Sequence, residues 1–371
     1  MSLPVGTVSA SAWESWRHLR ALRHDPPGLA AVRGPRKRTF DAALEQAEQL
    51  FAAASVVGAA VRPLLLFYGL SQAGRALAAA WVSADNGQLS GHGIKSTNYR
   101  SAARVADVTV ESAAGGSFTT IAELLGAPNL SHPMKLGDLC GLLPDLASFP
   151  LSADAPTPVP FRTHRVTHPP LSKDVQLIGA AVLSQWLMNA PPVDEGLDET
   201  PELQLQSRLQ HQQHLNRTLR MRIETFIAAY PALRQGWFPH GGDQPIAPAP
   251  VEGGIQLVYP CSPDWSDIAD SARGIHTYLG TSCAFPELPG GIVPPHPLVT
   301  WWAVLYALSM LARYEPDRWT KHTSVASSPE AVPVENLLTS AMTTVPQTLL
   351  EAFTQLQNQH PPELIHQAVG R

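Results

Sequence analysis

The sequence predicts a mainly α fold, with a helical core, a small inserted β element and an irregular, proline-rich middle region. Three observations lead there. Residues 39–83 and 297–359 carry long apolar runs of helical rather than alternating character. One short run, RVADVTVE from Arg104 to Glu111, alternates β-branched with other residues as a strand does. Thirty-five prolines, about twice the usual share, crowd into residues 150–170 and 231–295, where they break regular structure.

A chain of 371 residues exceeds what one hydrophobic core usually organises, so two domains or a large insertion are expected. At 44% apolar and 15% charged it can bury a core, which excludes wholesale disorder; collagen-like and coiled-coil periods are absent. A net charge of −5 gives the whole molecule no reason to coat DNA or an anionic membrane. Cys140, Cys261 and Cys283 are odd in number and scattered, a poor disulfide or zinc framework, so a reducing cytoplasm is expected. The N-terminus lacks a basic segment followed by an apolar one, and the most apolar stretch, Leu298 to Ala312, is shorter than the roughly 20 residues of a bilayer span. No membrane association is expected.

Residues 1–38 form a basic N-terminal arm, rich in arginine from Arg17 to Arg38 and broken at Pro26-Pro27. Residues 39–150 make a helical core with the small β insertion near 104–118. Asp41 is placed to cap its first helix. The next, LLLFYGLSQAGRALAAAWV, begins at Pro63 and is apolar nearly all round, as a central helix is; Gly69 and Gly74 permit close approach of neighbours. After the Gly91-His92-Gly93 turn and the strand come the short helices FTTIAELLG and LGDLCGLLPDL. Residues 151–289 are an elaboration of linkers, with LSKDVQLIGAAVLSQWLM ambiguous between strand and helix, GIQLVY a strand, and a basic helix from Glu202 to Tyr230. Residues 290–371 return helices to the core: one led by Pro297 and ending before Pro316, then one over 334–344 and one from Pro346 to Gln359.

Three pieces, in this order and spacing, resemble the YaaC-like family of bacterial proteins. They are the Leu64–Trp81 helix with its GHGI turn, the GGSF…ELLG and LGDLCGLLPDL run, and LSMLARYEPDRW at Leu308–Trp319. The resemblance covers most of residues 60–355, and its most specific pieces are His92-Gly93 and the Arg313-Tyr314, Pro316, Trp319 cluster. It implies no established reaction. The helical make-up is also similar to HEPN-type proteins, many of them ribonucleases or toxins of bacterial defence and stress systems, a likeness at the level of fold alone.

The chemistry behind that second likeness is a His that moves a proton from a ribose hydroxyl and an Arg that holds the phosphate. Candidate catalytic residues are therefore Arg75, His92, Arg313, Arg318 and His322. HEPN-type ribonucleases carry that Arg and His with four to six residues between them; Arg318 and His322 lie closer than this, Arg313 and His322 farther, with Pro316 between, while Arg17 with His24 and Arg208 with His214 meet it. Arg75 and His92 require folding to meet. The plain alternatives are a helix C-terminus capped by Arg313, a lid formed by Trp319, and a tight turn whose His92 caps a backbone group. Arg217, Arg220 and Arg222 on the basic helix are candidate nucleic-acid contacts, though the stripe is short beside a solvated face. The fourteen histidines are dispersed, His211 and His214 being the nearest pair, and His240-Gly-Gly-Asp243 is a lone tetrapeptide, so neither a metal nor a cofactor is expected. Phosphate-loop, nucleophile-elbow, zincin and dinucleotide motifs are absent. Three functions stay open: a non-enzymatic or auxiliary binding protein of a larger bacterial system, such as an antiphage or stress system, with a protein partner or second copy and possible nucleic-acid contact; a HEPN-like, metal-independent ribonuclease; and a regulatory nucleotide-binding module.

Overall fold

A computed structural model of the chain describes residues 10–166, 176–183, 228–231, 249–251, 254–261 and 274–360. Two compact units divide it: 1–157 with 277–280 and 288–371, and 158–276 with 281–287.

The first unit holds the helices α1 (Ala10–His24), α2 (Pro35–Val56), α3 (Arg62–Trp81), α4 (Ser117–Leu124), α5 (Leu136–Gly141), α6 (Pro297–Tyr314), α7 (Pro316–Thr323) and α8 (Ala331–Gln359). The class is mainly α, as the apolar runs require. Central α3 packs on α2, α4, α6 and α8, and the two glycines explain how. A Cβ at Gly69 would sit 2.7 Å from the Phe51 ring on α2, and one at Gly74 would sit 2.4 Å from the Trp302 ring on α6. Each missing side chain is the space an aromatic ring occupies. Trp301 and Trp302 are buried, and Phe353 of α8 meets Phe40 of α2 edge-on at 5.9 Å and Trp81 of α3 at 5.4 Å. Removing one such ring costs about 3–5 kcal/mol by the general rule for core aromatics.

Helix ends follow local chemistry. Arg36 donates to the carbonyls of Ala79, Val82 and Ser83, so a cation closes the C-terminus of α3. Pro297 opens α6, and His296 accepts from the Leu298 N–H through Nδ1 at 3.1 Å. The small β element is a three-stranded antiparallel sheet in the order β1 (Ile94–Lys95), β2 (Thr109–Ser112), β3 (Met134–Lys135). Its register pairs Ile94 with Ser112 and Val110 with Met134.

Several expectations need correction. Asp41 is no N-cap: α2 starts at Pro35, where the ring's fixed φ suits a first turn, and Asp41 instead faces Lys37 at 3.5 Å. The basic arm stands apart from these: it carries the helix α1, in which Ala12, Trp16 and Leu19 are buried and Arg20 and Arg23 pair with Glu48 and Glu45 of α2. The run RVADVTVE is strand only at its end, because Val105–Asp107 forms a 3₁₀ turn. The C-terminal helices are one continuous α8, which runs through Pro346; burial of Val345, Pro346 and Leu349 outweighs one lost ladder bond.

The second unit is richer in strand than its prolines imply. The six-stranded sheet, all of it but Thr277 and Tyr278 in this unit, has the order β6 (Ala249–Val251), β7 (Gly254–Cys261), β5 (Gln176–Leu183), β4 (Val159–Val166), β9 (Thr281–Ala284), β8 (Ile275–Tyr278). Within the ambiguous LSKDVQLIGAAVLSQWLM, Gln176–Leu183 is a strand, paired antiparallel along its whole length with GIQLVYPC; the rest of that segment lies outside the described residues. Residues 159–166, expected to be linker, are strand as well: Pro160 sits at the strand's start, where a missing N–H matters least. The basic helix expected over 202–230 lies outside the described residues apart from 228–230.

Residues 277–280 belong to the helical unit. There the Tyr278 hydroxyl donates to Asp145 at 2.5 Å, Thr344 donates to the same oxygen at 2.8 Å, and the N–H groups of Leu279 and Gly280 donate to Glu351. Burial first, then Asp145, pushes the Tyr278 hydroxyl well above its ordinary pKa. Among the described residues no helix is long and apolar enough to cross a membrane.

Candidate functional site

The Gly91-His92-Gly93 turn is held by its neighbour in space, the Gly115-Gly116-Ser117-Phe118 segment that opens α4. Phe118 N–H donates to the His92 carbonyl at 2.9 Å, Ala113 N–H to the Gly93 carbonyl at 2.9 Å, and the Ser117 hydroxyl to the Gly91 carbonyl at 2.8 Å. A Cβ on Gly116 would come within 2.3 Å of the Gly93 backbone nitrogen. Two backbones therefore touch where no side chain fits, and Gly91 and Gly93 take φ of 68° and 69°. This clasp presents His92 outward. Its imidazole caps nothing; it is exposed and lies against Phe67 of α3 and Tyr306 of α6, at 5.8 and 6.1 Å between ring centres.

From that point an aromatic and cationic face extends along the end of α6. Arg313 does not bond the last carbonyls of its helix. It donates to the Tyr68 hydroxyl of α3 at 3.1 Å and lies 5.0 Å from the Tyr314 ring. Tyr314 faces Tyr99 at 6.0 Å, and Arg100 lies 5.5 Å from the Tyr99 ring. Tyr68, Tyr314, Arg100 and Arg313 are exposed, while Tyr306 beneath them is buried. Burial, then Tyr314 and Tyr99, raises the pKa of Tyr306, which keeps that phenol neutral. Arg75 is exposed on α3 seven residues beyond Tyr68, about 10 Å along the same stripe.

Arg318 and His322, on α7, serve a different purpose. Arg318 donates to the carbonyls of Tyr99, Arg100 and Ala102. Glu330, almost fully buried, accepts the Val105 and Ala106 N–H groups at 2.7 and 3.1 Å. Arg104 Nε and His322 Nδ1 approach that carboxylate at 3.4 and 3.7 Å. The segment between Asn98 and Asp107 is thus gripped by its carbonyls at one end and its amides at the other. Asn98 closes the base by donating to the Asp107 carbonyl and accepting from the Thr109 N–H. Burial lowers the pKa of His322, Glu330 opposes that, and Arg318 adds to it. Trp319 is buried and donates from Nε1 to the Ala59 carbonyl at 2.9 Å, a lid on the core.

The structure thus gathers His92 and Arg313 on one face, leaves Arg75 farther along it, and commits Arg318 and His322 to holding a loop. Arg17 and His24 are both exposed on α1. Arg208, Arg217, Arg220, Arg222, His211, His214, His240 and Asp243 lie outside the described residues. Among the described residues no group of three or more His, Cys, Asp or Glu side chains is placed to hold a metal ion. Sequence reasoning missed Tyr68, Tyr99, Arg100 and Glu330. The adjacent Tyr99-Arg100 pair was the available signal, but a ring beside a cation in an irregular segment has no periodicity to flag it. Glu330 looked like any loop acid.

No curated protein and no solved structure matches the chain. A family model does, the one described as YaaC-like Protein, over residues 28–353, which takes in α2 to α7, most of α8 and both glycine segments of the clasp. With most of its length matched, the chain belongs to the YaaC-like family.

Proposed function

We propose that the protein is a non-enzymatic binding or assembly protein, and that it recognises its partner through the face carrying His92, Tyr68, Arg313, Tyr314, Tyr99 and Arg100. The observation that carries this reading is the division of labour among the cations. Arg318 and His322 are spent on the loop, whereas Arg313 and His92 stand exposed among rings on a rigid backbone. Aromatic rings and arginines held in place are what binding surfaces use to gain affinity at low entropic cost. On this reading the chain works in the cytoplasm as an auxiliary component of a larger bacterial system, of the antiphage or stress kind.

Sedimentation velocity on the purified chain, alone and with total RNA, tests it. The expected result is self-association or complex formation that Arg313→Glu with Tyr314→Ala abolishes, with an unchanged melting temperature and intact RNA. Association indifferent to both substitutions overturns the reading. So does metal-independent RNA cleavage lost in His92→Ala, which would put the ribonuclease reading in its place. The face also suits a regulatory nucleotide, whose binding would raise the melting temperature of the chain.

A further inference from the structure

We infer that the ligand of this face is single-stranded nucleic acid, bound by stacking of bases on Tyr99 and Tyr314 and by pairing of phosphates with Arg313 and Arg100; the inference rests on the binding reading above. The geometry points there through the order of groups. Arg313, Tyr314, Tyr99 and Arg100 follow one another in steps of 5.0, 6.0 and 5.5 Å, a cation at each end of a pair of rings. Bases have π faces that stack on tyrosine irrespective of sequence, and a single strand alternates them with negative charges. A guanidinium lying against a ring still has N–H edges to offer, and those edges fit phosphate oxygens. Arg313 spends one donor on Tyr68, and Arg100, 70% exposed, has only a 3.5 Å approach to Glu315.

The rings are also held before any ligand arrives. Arg318 takes the carbonyls of Tyr99 and Arg100 themselves, so the clamp on the loop is a clamp on half of the face. Tyr314 ends α6 just before Pro316. The alternative occupant, an apolar protein surface, fits less well, because the exposed rings here are phenols flanked by cations. A net charge of −5 leaves the bulk of the molecule unattractive to a polyanion, so binding must come from local cations.

The test is fluorescence anisotropy of the full chain with labelled oligouridylate of about 12 nucleotides, the size range of single-strand sites. A duplex of equal length, Arg33→Ala as an exposed control away from the face, and sedimentation of each variant accompany it. Expected are preference for the single strand and a loss of about tenfold or more for Tyr99→Ala and for Tyr314→Ala. Phenylalanine at either position should retain most affinity, because stacking needs the ring. Arg313→Ala should reduce the salt slope by about one, while the tyrosine variants leave it unchanged. No binding, preference for duplex, or equal affinity in the tyrosine variants overturns the inference. If the oligonucleotide fails to bind but Tyr314→Ala breaks self-association, nucleic acid is excluded and the binding reading stands. If neither responds to the face variants, both fall.

Discussion

Arg313 and Arg318 stand five residues apart in one sequence motif, on either side of Pro316, and do unlike work. Arg318, on α7, donates to three backbone carbonyls of the 98–107 loop. Arg313, at the end of α6, meets only a tyrosine hydroxyl and a tyrosine ring, and stays exposed. The proline separates them by ending α6, and α7 starts at it in a new direction. What an arginine of this short segment does thus depends on which backbone the fold brings to it.

The contrast is open to measurement, and the largest effect belongs to the structural side. Glu330→Ala leaves two buried N–H groups without an acceptor and should destabilise the chain by about 3 kcal/mol in urea unfolding. A loss below about 1 kcal/mol would mean that the loop is not held from below. Arg318→Ala should cost about 2 kcal/mol, partly restored by lysine, which keeps the charge but not the fork. Equal stability in Arg318→Ala and the wild type would erase the distinction drawn above. Gly116→Ala, forced against the Gly93 backbone, should cost about 1–3 kcal/mol and move the His92 ring, seen as a changed imidazole signal by NMR.

The pH dependence sharpens the comparison further. Because burial lowers the pKa of His322 from its ordinary 6.5, the unfolded chain binds more protons than the folded one below that pH. This group's contribution is at full strength above pH 6.5 and is lost as pH falls through the lowered folded value. His322→Gln should therefore flatten the fall of melting temperature on acidification. An identical acid profile in the variant would contradict the burial argument. Smallest of all, Arg313→Ala should change stability by no more than about 0.5 kcal/mol, since exposed cations contribute little to folding. A loss as large as that of Arg318→Ala would make Arg313 structural too.

Much of the fold was legible in the residues. The all-round apolar character of α3, its two glycines, the proline that opens α6 and the one that follows it locate the core from the residues alone. What misled was proline taken as a breaker. Pro346 sits inside α8 because its neighbours bury apolar surface on the core, and Pro160 lies in a strand at its start. At the candidate site, His92 and Arg313 were visible as motif residues, whereas Tyr99 and Arg100 lie in a loop without period. Their orientation comes from Arg318 and Glu330, more than two hundred residues away.

Composition and periodicity alone determined that this chain is mainly helical, that α3 and α6 are buried, and that glycines mark close approach, because those properties follow from each segment's own side chains. Which cations are free and which are spent was decided only by tertiary structure. A guanidinium's partner is whichever carbonyl, ring or carboxylate the packing brings within about 3 Å, a distance that chain order does not encode.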